Sequence, residues 1–268
     1  MTDRYAVVGN PIAHSKSPLI HAAFAKQTNQ ELSYEAILID LNGFEMKIRN
    51  LFRVDYKGVN VTVPFKFEAY NICDCLSTRA MSSGSRAVNT LTNVDGKIHG
   101  DNTDGVGLRV DIEENIGFTI TNKHVLILGA GGAAYGVLNS LVGAASITIA
   151  NRTIDKALDM SLSISNGIAS SFEELNRQFD LIINATSIGL TDTALPIPDN
   201  IFGKDCLAYD MMYGRETLFM SQARRNGAIV TDGLGMLVEQ AAEAFYVWRG
   251  IHPKTATIIK ALRNGTLV

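Results

Sequence analysis

One short segment limits the possible fold more than any other part of the chain. Four apolar residues, Val125–Leu128, run directly into Gly129-Ala130-Gly131-Gly132-Ala133-Ala134. This G-x-G-x-x-A pattern is typical of a buried strand, a tight turn and a helix start. The first glycine allows the turn, the second lets the backbone approach a pyrophosphate, and the small third residue lets the helix pack on the strand. The pattern predicts a unit that binds a dinucleotide, with a glycine-rich turn that serves only packing as the alternative.

Strand and helix signals alternate on both sides of this turn. After the turn, helical segments separate four further strand candidates: Ser146–Ala150, Leu181–Ala185, Cys206–Tyr209 and Ala228–Thr231. Before it come three strand candidates and then a hairpin around Asp95-Gly96: Tyr5–Val8, Leu32–Ile39 and Gly58–Val63. This alternation predicts an α/β protein with a doubly wound parallel sheet. The length of 268 residues fits one large domain or two small ones.

Composition excludes several classes of protein. The chain is 46% hydrophobic and 19% charged, unlike a disordered or collagen-like chain. Its net charge of -3 argues against a nucleic-acid-binding protein, and no apolar stretch reaches the roughly 18 residues of a membrane-spanning helix. An odd number of cysteines, 3, fits a reducing compartment better than a disulfide framework. We therefore expect a cytoplasmic protein with neither nucleic acid nor membrane as a partner.

The cysteines do not form a metal-binding pattern. Cys73 and Cys75 make a C-x-C pair on a predicted helix, and Cys206 lies in a predicted strand. Because no histidine or further cysteine lies nearby at metal-ligand spacing, no metal site is expected.

The next strand candidate after the glycine-rich turn ends at Asn151-Arg152-Thr153. A residue that contacts the ribose of a dinucleotide is expected about 20 residues past such a turn, and NAD-binding sites carry an acid there. A guanidinium forms bidentate contacts with a 2′-phosphate, and no carboxylate repels the phosphate here. The sequence therefore favours NADP over NAD, with Arg152 as a solvated surface charge the alternative. Lys156 is a candidate second cation.

Small polar residues also follow the strand candidate at Leu181–Ala185. The sequence continues with Thr186 and Ser187, at the carboxyl edge of the predicted sheet, where ligands bind. Both are candidate cofactor contacts. A turn with capping hydroxyls explains the same spacing equally well.

Hydroxyl groups follow the first strand of the chain. Ser15 and Ser17 precede Pro18 at a predicted helix start. Two hydroxyls at this position, with the helix dipole behind them, can hold a carboxylate. Ser17 as a plain N-cap is the alternative, and the residues alone leave the choice open.

Two further polar clusters lie at strand ends. Alternation places Asn60 and Thr62 on one face of a strand, with Lys66 in the following helical turn. Asn89 lies in the hairpin, and Asp104 precedes a predicted helix. Since aspartate is a good helix N-cap, the residues alone favour that structural role for Asp104.

The ordered set of motifs resembles the shikimate dehydrogenase family. The motifs are, in order, GNPIAHSKSP, GVNVTVPFK, AVNTL, GDNTDGVG, GAGGAA, NRT, NATSIGL and DGLGMLVEQAA, from Gly9 to the C-terminal helices. Two places depart from the family pattern. Arg86 stands where relatives usually carry glycine, and the segment after Tyr213 lacks the proline often found there.

The resemblance implies a fold and a reaction. Members of this family reduce 3-dehydroshikimate to shikimate with NADPH, a step in making aromatic amino acids. The family has an α/β substrate-binding domain and a Rossmann-type cofactor domain with a doubly wound parallel sheet. Applied to this sequence, it predicts a discontinuous substrate-binding domain, residues 1–103 with 236–268, and an inserted NADP-binding domain, residues 104–235.

The resemblance also implies roles for individual residues. Lys66 and Asp104 are implied as the catalytic pair, with Lys66 as general acid, although the sequence leaves open which of them transfers the proton. The implied substrate-binding residues are Ser15, Ser17, Asn60, Thr62, Asn89, Tyr213 and Gln240. The implied cofactor contacts beyond the two strand ends and the glycine-rich turn are Met211 and Gly233, near the nicotinamide.

Two other functions fit parts of this pattern. One is a quinate/shikimate dehydrogenase that uses NAD, which Asn151-Arg152 and the two-serine motif disfavour. The other is a non-catalytic sensor that keeps the fold, which has no need of both Lys66 and Asp104. The sequence leaves open whether the protein is a monomer or a homodimer.

Overall fold

A computed structural model of the chain describes residues 2–81, 86–190 and 193–267. The chain divides into two compact units, of which the first comprises Met1–Gly107 with Leu237–Val268 and the second Leu108–Met236. Both crossings between units fall inside helices, a few residues after the boundaries expected from sequence.

The first unit is built on a six-stranded mixed sheet. Its strands are β1 (Asp3–Gly9), β2 (Leu32–Leu38), β3 (Tyr56–Val61), β4 (Cys75–Leu76), β5 (Thr90–Val94) and β6 (Lys97–Asp101). Its helices are α1 (Ser17–Thr28), α2 (Phe44–Arg53), α3 (Lys66–Asn71), α4 (Thr78–Met81), α5 (Asp104–Val110), α9 (Leu234–Arg249) and α10 (Ala256–Arg263), where α5 and α9 continue into the second unit.

The strand order of this sheet, β2-β1-β3-β5-β6-β4, determines where its polar loops meet. β1 pairs in parallel with β2 on one side and with β3 on the other, so the chain reverses its direction of travel across the sheet at β1. Ligands of α/β proteins bind beside the carboxyl ends of strands at such a switch point. The loops after β1 and β3 begin there, and Gly9 has no room for a side chain because a Cβ would lie 2.5 Å from the Thr62 methyl carbon.

The predicted hairpin is confirmed. β5 and β6 pair antiparallel, with Asn93 opposite Ile98 and Val94 opposite Lys97. The two turn residues, Asp95 and Gly96, both have positive φ, 52° and 81°. This backbone twist matches that of the flanking strands and favours an Asp-Gly pair.

The second unit is built on a six-stranded sheet in which every pairing is parallel. Its strands are β7 (His124–Leu128), β8 (Ser146–Ala150), β9 (Gly167–Ser170), β10 (Phe179–Asn184), β11 (Phe202–Asp210) and β12 (Ile229–Asp232). Its own helices are α6 (Gly132–Leu138), α7 (Ile154–Ser161) and α8 (Leu218–Arg225). The order β12-β11-β10-β7-β8-β9 is that of a dinucleotide-binding doubly wound fold, and it confirms the predicted fold class.

Alternate residues of this sheet enter two separate apolar cores. Val125 and Ile127 of β7 face the core that includes α6 and α7, whereas Leu126 and Leu128 face the core that includes α8. A strand buried on both faces is continuously apolar, which explains the short hydrophobic runs in the sequence. The switch point lies between the neighbouring strands β7 and β10, and the glycine-rich turn begins at the carboxyl end of β7.

Some local predictions are wrong. Cys75 lies in the short strand β4, so the C-x-C pair is not on one helix. The helix predicted after Asp104 is present, and its second half, Asp111–Asn115, has π geometry. The strand β9 and the short helix α4 were not expected, since Gly167–Ser170 and Thr78–Met81 are too short for a clear apolar period.

No helix in the described part of the chain is long and apolar enough to cross a membrane. His21 of α1 is a buried exception to the apolar interior of the first unit. Its ring stacks on Tyr34 at 4.0 Å between centroids, and neither nitrogen has a hydrogen-bond partner among the described residues. Burial lowers the pKa of His21 from 6.5 to about 3.

This histidine predicts an acid-sensitive stability. The folded state holds His21 neutral, whereas the unfolded chain protonates it near pH 6.5. The contribution of His21 to the free energy of unfolding is therefore highest above pH 6.5 and falls toward pH 3. The fall approaches about 1.4 kcal/mol per pH unit from this group. His21→Phe keeps a flat ring and removes that slope, as measured by urea unfolding from pH 7 to 4. The exposed His252→Phe is the control, and equal slopes in wild type and His21→Phe would contradict the prediction.

Candidate active site

Lys66 and Asp104 form a buried ion pair. Lys66 begins α3 and Asp104 begins α5, and Nζ lies 2.5 Å from Oδ2. Their side chains are only 11% and 8% exposed. The backbone N–H of Asp104 donates to Oδ1 of Asn102, and both carboxylate oxygens of Asp104 have side-chain partners. The carboxylate of Asp104 therefore does not cap α5, which is the structural role that its position in the sequence favours.

Asn89 connects this pair to its surroundings. Its Nδ2 donates to Oδ1 of Asp104 at 2.9 Å and to the Thr103 hydroxyl at 2.9 Å. Its Oδ1 accepts from the backbone N–H of Thr103 at 2.8 Å. The Gln240 side-chain oxygen lies 3.4 Å from the same Nδ2, which brings α9 to the cluster. A fully bonded amide of this kind fixes the orientation of the carboxylate.

Asn60 extends the cluster toward the carboxyl end of β3. Its Nδ2 donates to the Thr90 hydroxyl at 3.0 Å, and its Oδ1 accepts from the Tyr34 hydroxyl at 2.7 Å. Sequence reasoning missed Tyr34; its place on the inward face of β2, between the exposed Ser33 and Glu35, was a usable signal.

The two predicted serines lie at the start of α1. The Ser15 hydroxyl accepts from the backbone N–H of Ser17 at 3.3 Å. Lys16 occupies the N-cap position and no side chain caps the helix, so the interpretation of Ser17 as a plain N-cap is wrong. Thr62 directly follows β3, and its N–H donates to Val8 O at 2.9 Å. All of the side chains described so far belong to the first unit: the ion pair with Ser15, Ser17, Asn60, Thr62, Asn89 and Gln240.

In the second unit, the glycine-rich turn lies at the carboxyl end of β7, in the middle of the sheet. Gly129 has φ +103°, which favours glycine, and a Cβ there would meet the Thr186 methyl group at 3.1 Å. Gly131 is the N-cap of α6 in extended conformation, and a Cβ on it would meet nothing within 4 Å. Ala130 is buried, and Gly132 and Ala133 are half-buried. This backbone is open on the side where the motif predicts a pyrophosphate.

The loop after β8 carries the predicted 2′-phosphate contacts. Asn151 Nδ2 donates to the carbonyl of Thr153 at 2.9 Å, and Thr153 is the N-cap residue of α7. Arg152 and Lys156 are both exposed. Arg152 in the loop and Lys156 in the first turn of α7 therefore present two cations to solvent.

The segments after β10, β11 and β12 hold the remaining predicted contacts. Asn184 Oδ1 accepts from both the N–H and the hydroxyl of Thr186, at 3.1 and 2.7 Å, whereas Ser187 is exposed. Met211 and Gly233 come together, since a Cβ on Gly233 would lie 2.5 Å from the Met211 carbonyl oxygen. Tyr213 is half-buried two residues beyond Met211.

Two further observations limit the chemistry. In the described ranges, no three His, Cys, Asp or Glu side chains are grouped so that they could hold a metal ion. Burial raises the pKa values of the free thiols Cys73 and Cys206 to about 12, so both remain protonated.

Comparison with known proteins gives consistent results along the chain. Residues 7–91 match the family model of the shikimate dehydrogenase substrate binding domain. Residues 111–191 match the shikimate / quinate 5-dehydrogenase model, and residues 233–263 match the shikimate 5'-dehydrogenase C-terminal domain.

Full-length relatives agree with these matches. The protein named shikimate dehydrogenase (NADP(+)) from Methylobacillus flagellatus is 57% identical, over 97% of this chain and 99% of that protein. The crystal structure of an Ael1 enzyme from Pseudomonas putida has a TM-score of 0.90 at 46% identity, covering 97% and 98% of the two chains. Shikimate 5-dehydrogenase from Thermus thermophilus, in complex with NADP(H) and shikimate, has a TM-score of 0.88 at 33% identity, covering 98% and 99%. On this evidence the chain belongs to the shikimate dehydrogenase family.

Proposed function

We propose that the protein is an NADP-dependent shikimate dehydrogenase that reversibly reduces 3-dehydroshikimate to shikimate, in the route to chorismate and the aromatic amino acids. The observation that carries this proposal is the buried Lys66–Asp104 pair, bonded to Asn89 and adjoining Gln240, in a chain of this family. A sensor that only kept the fold would not require a buried ammonium next to a carboxylate. Removing these two charges from water carries a desolvation cost even when they form a pair, and a sensor gains nothing from that cost.

Lys66 is the proposed general acid. When bound, NADPH supplies a hydride to the carbonyl carbon of the substrate. Negative charge then develops on the carbonyl oxygen, and the Lys66 ammonium stabilises it and donates a proton to form the hydroxyl. In the reverse direction, neutral Lys66 accepts that proton.

Asp104 is the proposed partner of Lys66. Its Oδ2 holds the ammonium and its Oδ1 accepts from Asn89, so the carboxylate cannot rotate freely. Fixed in this way, it aims the ammonium, and a remaining lone pair can accept a hydrogen bond from the neighbouring substrate hydroxyl.

The substrate carboxylate and hydroxyls require polar partners. We assign the carboxylate to Ser15 and Ser17, whose hydroxyls lie at the positive end of the α1 dipole. We assign the ring hydroxyls to Asn60, Thr62, Asn89 and Gln240, because a buried unpaired polar group costs about 1–3 kcal/mol. Tyr213 is assigned to the same substrate from the second unit on the family pattern alone.

The residues of the second unit fit NADP. Gly129, Ala130, Gly131, Gly132 and Ala133 form a turn with backbone room for a pyrophosphate. Arg152, with Asn151 and Thr153, is assigned to the 2′-phosphate because an exposed guanidinium stands where NAD sites place an acid. Thr186, Ser187, Met211 and Gly233 are assigned to the ribose and nicotinamide side.

We further propose that the protein works in the cytoplasm, as a monomer or homodimer, without a nucleic-acid partner. Its three cysteines are free thiols, which fits a reducing compartment, and its net charge of -3 fits the absence of a polyanionic partner.

A steady-state assay tests the reaction and the choice of substrate. Oxidation of shikimate with NADP is expected to give a higher kcat/KM than oxidation of quinate with NAD. Quinate carries one extra ring hydroxyl, which the two-serine end of the site must accommodate. Faster turnover of quinate with NAD would instead assign the chain to the quinate/shikimate branch of the family.

Lys66→Ala tests the catalytic pair. Loss of the general acid is expected to lower kcat at least about 100-fold, while the dissociation constant for NADPH stays unchanged. Stopped-flow turnover and calorimetric NADPH binding measure the two effects. Lys57→Ala, which removes an exposed lysine paired with Asp55, is the control. An unchanged kcat in Lys66→Ala would refute its catalytic role.

Arg152→Ala tests the choice of cofactor. Removing a charge-assisted contact to the 2′-phosphate is expected to raise KM for NADPH about tenfold and KM for NADH hardly at all. Arg225→Ala, another exposed arginine of the same unit, should change neither value. Equal changes with both cofactors would remove Arg152 from the phosphate site.

A further inference from the structure

A fully buried carboxylate lies beneath the proposed cofactor contacts and has no part in the reaction described above. Asp210 is the last residue of β11 and is 0% exposed. Its Oδ2 accepts from Asn184 Nδ2 at 3.1 Å and from the Thr217 hydroxyl at 2.5 Å, and its Oδ1 accepts from the backbone N–H of Met212 at 2.9 Å. None of these three donors carries a charge.

One branch of this network reaches the glycine-rich turn. Asn184 donates to Asp210 with its amide nitrogen, which leaves its oxygen to accept from Thr186 N–H and from the Thr186 hydroxyl. The methyl group of Thr186 in turn lies against Gly129, where a Cβ would come within 3.1 Å of it. The orientation of one amide thus sets the position of Thr186 against the turn.

The other branch reaches the loop after β11. The bond from Met212 N–H to Asp210 fixes the start of this loop, and the Met212 carbonyl accepts from Gly233 N–H at 2.9 Å. Thr217, which donates to Asp210, is also the N-cap of α8 and accepts from Met220 N–H at 3.2 Å. Both ends of the segment from Met212 to Thr217 are therefore bonded to the same carboxylate.

Only an acidic side chain can make all these bonds. Asn184 and Thr217 both donate to one oxygen, and Met212 donates to the other, so both oxygens must be acceptors. An asparagine at this position would direct an NH2 group at one of these donors. Burial also raises the pKa of Asp210, which shows that the fold retains an acid where its charge is unfavourable.

We propose that Asp210 is the positioning residue of the NADP site. By accepting from Asn184 and Met212 together, it sets Thr186 after the end of β10 and Met211 after the end of β11. It does not itself touch the cofactor. The inference rests on the proposed NADP-binding function and adds a residue through which the contact residues are held.

The test is an exchange of donor and acceptor. Asp210→Asn alone sets an amide NH2 against a donor, and it is expected to weaken NADP binding about tenfold while KM for shikimate stays within twofold. In the double variant Asn184→Asp with Asp210→Asn, residue 184 accepts and residue 210 donates, so the bond between them is restored. NADP affinity is expected to return to within about threefold of wild type.

Isothermal titration calorimetry with NADP and steady-state KM values for both substrates are the measurements. Asp180→Asn is the matched control, since Asp180 accepts a backbone N–H from His124 at the opposite end of the sheet. It should leave both affinities unchanged. If Asp210→Asn does not fold, Thr217→Val removes one of the three bonds and should weaken NADP binding without changing KM for shikimate.

The outcomes separate the two proposals. A wild-type protein that does not bind NADP would refute the proposed function, and this inference with it. A wild type that binds NADP, together with an Asp210→Asn variant that binds it equally well, would overturn the inference alone. Loss of NADP binding that the double variant does not restore, or an equal loss of shikimate affinity, would show that Asp210 supports the unit in general and would also overturn it.

Discussion

An ammonium and a carboxylate can be kept out of water only if each satisfies the other, and the first unit is arranged around this requirement. Lys66 and Asp104 come from helices that three strands of the sheet separate in sequence, yet their charged atoms are in contact. Holding them there occupies the side chain of Asn89 and the Asn102 turn, and it brings Gln240 of α9 to the same place. Asn89 and Gln240, which hold the pair in place, are also among the residues proposed to contact a polyhydroxylated ring.

The same topological rule places the functional groups in both units. In each sheet one strand, β1 or β7, has a parallel neighbour on both sides, and the chain reaches these neighbours by travelling in opposite directions across the sheet. The loops that leave the carboxyl ends of these strands diverge and open a crevice, and most of the proposed contacts begin within a few residues of those ends. The two units therefore offer one arrangement to the two proposed ligands, with side-chain amides and hydroxyls proposed as contacts in the first and backbone N–H groups with Arg152 in the second.

Much of the fold could be predicted because periodicity and turn chemistry act locally. The glycine-rich turn, the Asp-Gly hairpin and the parallel sheet of the second unit each follow from a short stretch of sequence. The cluster around Lys66 could not be derived in that way. Asp104 has the local signature of a helix cap, and only its long-range contact with Lys66 shows another use. Asp210 escaped notice for the same reason, since an aspartate at a strand end has no local pattern that reveals its partners. Alternation along β2 marks Tyr34 as inward-facing, but it does not show that Asn60 is its partner.

The interrupted first unit has a consequence for biosynthesis. Ile20 and Phe24 of α1 are buried against Val238 and Phe245 of α9, which follows the whole second unit in the chain. During translation these apolar faces of α1 emerge from the ribosome well before the helix that covers them. The inserted unit, whose residues are contiguous, can complete its sheet first. The outer unit needs its last helices to cover α1, so we expect it to complete its core after the inserted unit, the reverse of the usual N-terminal-first order.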